Sequence, residues 1–102
     1  MAVRGFGCRR LLDKIGLGEG ASVVVGGAAP DDPSLADGAY LLPTVFDGVD
    51  NDMRIAREEI FGPVVSIIPF DTEEEALRLA NATPYGLSGS IWSRDIGKAM
   101  RA

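Results

Sequence analysis

Apolar positions fall in short blocks along the chain, and their spacing changes from block to block. In "RRLLDKIG" Leu11, Leu12 and Ile15 recur at helical spacing, with Gly16 placed to stop the helix in a left-handed conformation. "ASVVVGG" reads as a short strand carrying three consecutive valines, Val23, Val24 and Val25. The Pro, Asp and Gly of "AAPDDPSLADG" mark an exposed loop. "YLLPTVF" is a second extended piece, and Pro43, which has no N–H to donate, argues against a central hydrogen-bonded position. "DNDMRIAREE" then reads as a short helix capped by Asp50, Asn51 or Asp52.

The later pattern is more regular. "PVVSIIPF" is a nearly continuous apolar strand, the pattern of a strand covered on both faces. "DTEEEALRLANAT" predicts a helix opened by a capping box, Thr72 with Glu75 three residues on, and supported by a Glu74–Arg78 pair. Ala76, Leu79 and Ala80 form its apolar face, widened by Leu77, and Pro84 and Gly86 end it. "LSGSIWS" reads as the next strand, so strand, helix and strand predict a βαβ crossover with two parallel strands. A last helix starts near Ser93 or Asp95, with Ile96, Ala99 and Met100 at helical spacing, and the chain stops at Ala102 in mid-pattern, as expected of a truncated sequence. The fold class implied is α/β: a small parallel, Rossmann-like sheet with flanking helices, forming part of a larger architecture.

Composition narrows the function classes. With 102 residues, 46% hydrophobic and 25% charged, the chain has the make-up of one modest folded domain. Its net charge of −5 and the absence of a basic cluster beyond Arg9-Arg10 argue against nucleic acid. No apolar run approaches a membrane span, and "MAVRGFGCRR" lacks the apolar core of a signal peptide. The lone Cys8 cannot form an internal disulfide and fits a reducing compartment, so a cytoplasmic location is expected. There is no histidine, which removes the commonest general base and metal ligand; no metal site is expected.

Few residues invite chemistry. "GLGEGA" matches a dinucleotide fingerprint in letters, but a helix precedes it and a strand follows, the inverse of the required context, so it reads as a helix stop and turn. Cys8 has no neighbour that would activate it and reads as an incidental thiol. Tyr85 and Trp92 read as turn and core packing. Glu58 and Glu59 precede Phe61 and a Gly62-Pro63 turn; spacing alone favours a solvated helix end. A carboxylate so placed could nevertheless accept both hydroxyls of a ribose, beside a ring able to flank a flat heterocycle.

"PTVF" at 43–46, "MRIAREEIFGPVVSIIPF" at 53–70 and "LANATPYGLSGSIWSRD" at 79–95, with their spacing, resemble the aldehyde dehydrogenase superfamily. In style the middle segment is similar to bacterial members acting on betaine aldehyde, aminoaldehydes or similar small aldehydes. The resemblance runs from Arg9 to Ala102, so residues 9–102 are expected to be a partial catalytic domain and 1–8 an unmatched segment.

The resemblance implies oxidation of an aldehyde to a carboxylic acid with NAD or NADP. In the family a cysteine thiolate adds to the aldehyde to give a thiohemiacetal, hydride passes to the nicotinamide, and a glutamate-activated water releases the acid. "EEIFGPV" then places the glutamate that binds the nicotinamide-ribose hydroxyls at Glu59 and the phenylalanine near the nicotinamide at Phe61, framed by Glu58, Gly62 and Pro63. The family's nucleophile and general base fall on no residue of this chain, Cys8 being in the wrong place, and the oligomerisation strand of this homo-oligomeric family lies beyond it. No catalytic residue is therefore assigned, and the isolated chain is expected to be inactive. The competing reading is a non-catalytic remnant that acts as an interaction module with a full-length homologue.

Overall fold

The computed structural model describes Val3–Arg4 and residues 16–102. In chain order the elements are β1 (Val3–Arg4), β2 (Ser22–Val25), a 3-10 turn (Pro33–Leu35), β3 (Tyr40–Leu41), β4 (Thr44–Asp47), α1 (Arg54–Arg57), β5 (Val64–Ser66), α2 (Glu73–Ala80) and α3 (Ile96–Arg101). They fall into two units, Met1–Pro69 and Phe70–Ala102. The expected helix over Leu11, Leu12 and Ile15, and Cys8, lie outside the described residues.

In the larger unit β4 is the middle strand of three, in the order β2-β4-β5. It pairs antiparallel with β2 and parallel with β5, in the register Thr44 to Val64, Val45 to Val65 and Phe46 to Ser66. A separate antiparallel pair joins β1 to β3. Pro43 falls in the gap between β3 and β4, which satisfies its missing donor, yet the residue after it opens the central strand. The proline constrains one position only, and the expectation that it argues against a central hydrogen-bonded position is corrected for this segment. A parallel pair does occur, but it is β4 and β5 across α1, one element earlier than the pattern suggested. The sheet is therefore mixed.

Several local features refine the pattern. The triple valine is interrupted by a bulge, since Val23 pairs with Phe46 and Val25 with Val45, which leaves Val24 out of register and exposed. Gly16 does not adopt the left-handed conformation; the first positive φ in that turn belongs to Gly20, at 99°. Gly16 is small for another reason. A Cβ there would lie 2.7 and 2.8 Å from the Phe46 ring. "PVVSIIPF" forms only three strand residues, although Ile67 N–H still donates to the Phe46 carbonyl at 2.8 Å.

The core lies around Phe46, which is 0% exposed, with Ala21, Leu41, Val49 and Ile55 buried and Val23, Met53, Ala56, Ile60, Val64 and Ile68 packed against them. Thr44 is the one buried polar side chain among the described residues. It is satisfied on both counts, donating to the Leu42 carbonyl at 2.8 Å and accepting from Gly27 N–H at 2.9 Å. That bond requires the Gly26-Gly27 backbone, at φ 77° and 76°, to pass so close to Pro43 that a Cβ on Gly26 would collide with the Pro43 carbonyl.

The smaller unit is built from locally specified helices. Thr72 Oγ1 accepts from Glu75 N–H at 3.1 Å, and the Glu75 carboxylate reaches back to Asp71 N–H at 2.9 Å, so the box closes one residue earlier than its usual form. Arg78 pairs with Glu75 at 3.5 Å rather than with Glu74, which corrects the expected pairing. Ala76, Leu77 and Leu79 are half-buried and Ala80 is exposed. Asp95 caps α3 through Gly97 N–H (2.8 Å) and Lys98 N–H (3.3 Å), and Arg101 pairs with Glu73 at 3.3 Å.

Residues 87–93 form no strand. A strand needs a neighbour to satisfy its backbone, and this unit supplies none, so the apolar run stays irregular. Trp92 is 92% exposed and Tyr85 is exposed, which overturns their reading as packed side chains.

Thr44→Val removes the hydroxyl and leaves the half-buried Gly27 N–H without its acceptor. The expected loss is about 1–3 kcal/mol in chemical denaturation, whereas Thr44→Ser, which keeps the hydroxyl, loses less. Equal losses in the two variants would show that packing rather than the hydrogen bonds holds this position.

Candidate functional site

The segment from α1 to β5 carries the sequence-predicted site residues. Helix α1 is a single turn with Met53 at its N-cap and no capping side chain of its own, so none of Asp50, Asn51 or Asp52 caps it as expected. Asp50 instead accepts from Asp52 N–H at 2.8 Å, turning the loop before the helix. The open helix end is satisfied from a distance: Arg54 N–H donates to Glu19 Oε2 at 2.9 Å, across 35 positions of sequence.

Two arginines hold the turn of helix. Arg57 donates from Nε to the Asn51 carbonyl at 2.8 Å and pairs with Asp52. Arg54 reaches forward, donating from Nε to Glu58 Oε1 and from Nη2 to Glu58 Oε2, both at 2.8 Å. This is a two-bond fork matched to a carboxylate. Glu58 closes the helix in an extended conformation, φ −106° and ψ 143°, with its N–H on the Arg54 carbonyl.

The chain then runs exposed, half-buried, exposed over Glu59, Ile60 and Phe61, the alternation of an extended segment. Ile60 packs against the core, while Phe61 is 81% exposed. Glu59 and Phe61 therefore share the outward side. No hydrogen bond or ion pair to a described residue engages the Glu59 carboxylate. Beyond them Val64 N–H turns back to the Gly62 carbonyl at 2.9 Å, and Thr44 N–H donates to the Pro63 carbonyl at 2.8 Å, which ties the turn to the central strand.

This geometry separates the two adjacent glutamates. Glu58 is paired with Arg54 within the chain. Glu59 presents two acceptor oxygens to solvent beside an aromatic face. A vicinal diol, which supplies two O–H donors, fits such a carboxylate, and a flat ring fits beside Phe61. Among the described residues no group of three or more His, Cys, Asp or Glu is placed to hold a metal ion, and no helix is long and apolar enough to cross a membrane. The Arg54–Glu58 fork was legible as an i,i+4 pair in "MRIAREE" but not singled out; the Glu19 cap has no local signature at all.

The model of the aldehyde dehydrogenase family matches residues 10–102. The chain belongs to the aldehyde dehydrogenase family. Among its relatives, betaine aldehyde dehydrogenase of Bacillus subtilis is 49% identical, over 86% of this chain and 18% of that protein. The 5-carboxymethyl-2-hydroxymuconate semialdehyde dehydrogenase of Escherichia coli is 50% identical, over 86% and 19%. An aldehyde dehydrogenase of Mycobacterium tuberculosis, solved in complex with NAD+, superposes with a TM-score of 0.83 at 49% identity, over 92% of this chain and 19% of that one. Betaine aldehyde dehydrogenase of Staphylococcus aureus, also in complex with NAD+, gives 0.83 at 45% identity, over 95% and 20%. The chain thus spans about a fifth of the length of the aldehyde dehydrogenases it matches. The α/β reading and the family resemblance both hold at this level.

The fork sets an acid-side signature. Hydrogen bonding from Arg54 holds the Glu58 carboxyl below its ordinary value, with partial desolvation opposing and the Arg54 charge assisting. A carboxyl lowered on folding adds stability above its unfolded value, and that contribution is lost as pH falls through the lowered folded value. In a carbon-detected NMR titration Glu58 should therefore show its midpoint below the ordinary glutamate value. Arg54→Met should return it to that value; an unmoved midpoint would mean that the fork does not form in solution.

Proposed function

We propose that the chain is part of the catalytic domain of an NAD(P)-dependent aldehyde dehydrogenase, that residues 9–102 form this part, and that Glu59 and Phe61 are its cofactor-contacting residues. The observation that carries this reading is the outward pair Glu59 and Phe61 on either side of an inward Ile60, within the segment "EEIFGPV". The Glu59 carboxylate accepts the two hydroxyls of the nicotinamide ribose, and the Phe61 ring flanks the nicotinamide. When bound, the cofactor would supply a hydride acceptor for oxidation of the aldehyde. The residues of this chain bind and orient the cofactor; nucleophilic attack and water activation belong to parts of the enzyme outside it. The relatives point to a small aldehyde as substrate and to NAD as the first cofactor to test, since similar structures contain NAD+.

Two measurements test the reading. Mixed with NAD+ and betaine aldehyde, the purified chain should form no NADH by ultraviolet absorbance; aldehyde-dependent NADH would overturn the assignment of the nucleophile elsewhere. In saturation-transfer NMR with NAD+ alone, Glu59→Ala should weaken binding roughly ten- to hundredfold, the effect of removing hydrogen bonds to a charged group worth about 1.5–3 kcal/mol. Binding that is the same in Glu59→Ala and the native chain would remove Glu59 from the cofactor site.

A further inference from the structure

Several hydrogen bonds meet at Arg54, and all of them lie one residue or more before Glu59. Its N–H is held by Glu19 at 2.9 Å, its carbonyl accepts Glu58 N–H at 2.8 Å, and its guanidinium forks the Glu58 carboxylate. The other arginine of α1 is turned the opposite way, onto Asn51 and Asp52. Arg54 therefore connects the turn at Glu19, the helix and the first residue of the extended segment.

An exposed ion pair of this kind adds little to global stability. Its effect is directional. Attachment at two points fixes the plane of the Glu58 carboxylate, on the residue from which the extended segment departs. At the far end Pro63 is bonded to the central strand through Thr44 N–H at 2.8 Å. Residues 59–61 are thus strung between the Arg54 fork and the Pro63 bond, with Ile60 seated against the core between them.

We propose that Arg54, its N–H capped by Glu19, is the positioning residue that through its fork on Glu58 fixes the direction of Glu59 toward the nicotinamide ribose. The proposal rests on the cofactor reading above.

The test is nitrogen relaxation of the backbone amides of Glu59 and Ile60 in the full 102-residue chain, compared with Arg54→Met, Arg54→Lys and Glu58→Gln. Order parameters of about 0.85 in the native chain should fall toward 0.6 in Arg54→Met. Arg54→Lys should lie between, because an ammonium supplies charge without the planar fork. NAD+ affinity by saturation transfer should weaken by about three- to tenfold in Arg54→Met, the cost of ordering a segment that is no longer preorganised. In the Arg54→Met/Glu59→Ala double variant, the affinity should equal that of Glu59→Ala alone. Order parameters at Glu59 and Ile60 that stay native in a folded Arg54→Met overturn the proposal. If Arg54→Met unfolds, Glu58→Gln carries the same test, and rigid amides in it overturn the proposal equally. Glu59→Ala that binds NAD+ as well as the native chain overturns the cofactor reading and the proposal with it. Weakened binding in Glu59→Ala with undisturbed order in Arg54→Met overturns the positioning role alone.

Discussion

Backbone pairing along both edges of β4 is the constraint on which the larger unit rests. A strand bonded on each side cannot slide by one residue without turning its side chains to the wrong faces, so Thr44 and Phe46 are committed inward together. The Phe46 ring then requires a residue without a Cβ at Gly16, and the Thr44 hydroxyl requires the Gly26-Gly27 backbone at close range. The same pairing fixes where β5 starts. Because Thr44 N–H holds the Pro63 carbonyl, the downstream end of the Glu59–Phe61 segment is set by the core and not by a loop.

The two units are specified in different ways. The larger one has buried side chains and long-range pairing, whereas α2 and α3 contain no buried residue and depend on caps and short-range ion pairs. Phe70, Leu87, Ile91, Ile96 and Met100 are exposed in the smaller unit, more apolar surface than thirty-odd residues of a free-standing domain usually leave in water.

What could be read from the sequence follows this division. The caps at Thr72 and Asp95 and the cores of β2, β4 and β5 were legible because the residues that make them lie within a few positions of one another. The bulge at Val24 was not, since it arises from register against Phe46 and Val45 on another strand. The strand expected at 87–93 failed for a related reason: local pattern proposes a strand, but only a neighbour makes one. At the site, the adjacent glutamates and Phe61 were visible in order, and the family resemblance assigned Glu59 and Glu58 different roles, but the contacts that hold Glu58 were not legible. It took the Arg54 fork to show that Glu58 is occupied and Glu59 is presented, and the distant Glu19 cap that supports Arg54 left no trace in any short window.

Trp92 is the single tryptophan of the chain, it stands in the smaller unit, and its indole N–H donates to Ser90 Oγ at 3.3 Å. The intrinsic fluorescence of the protein is therefore a local instrument. It begins in a water-like environment. A blue shift on mixing carries different news: some other surface has come to rest on the indole.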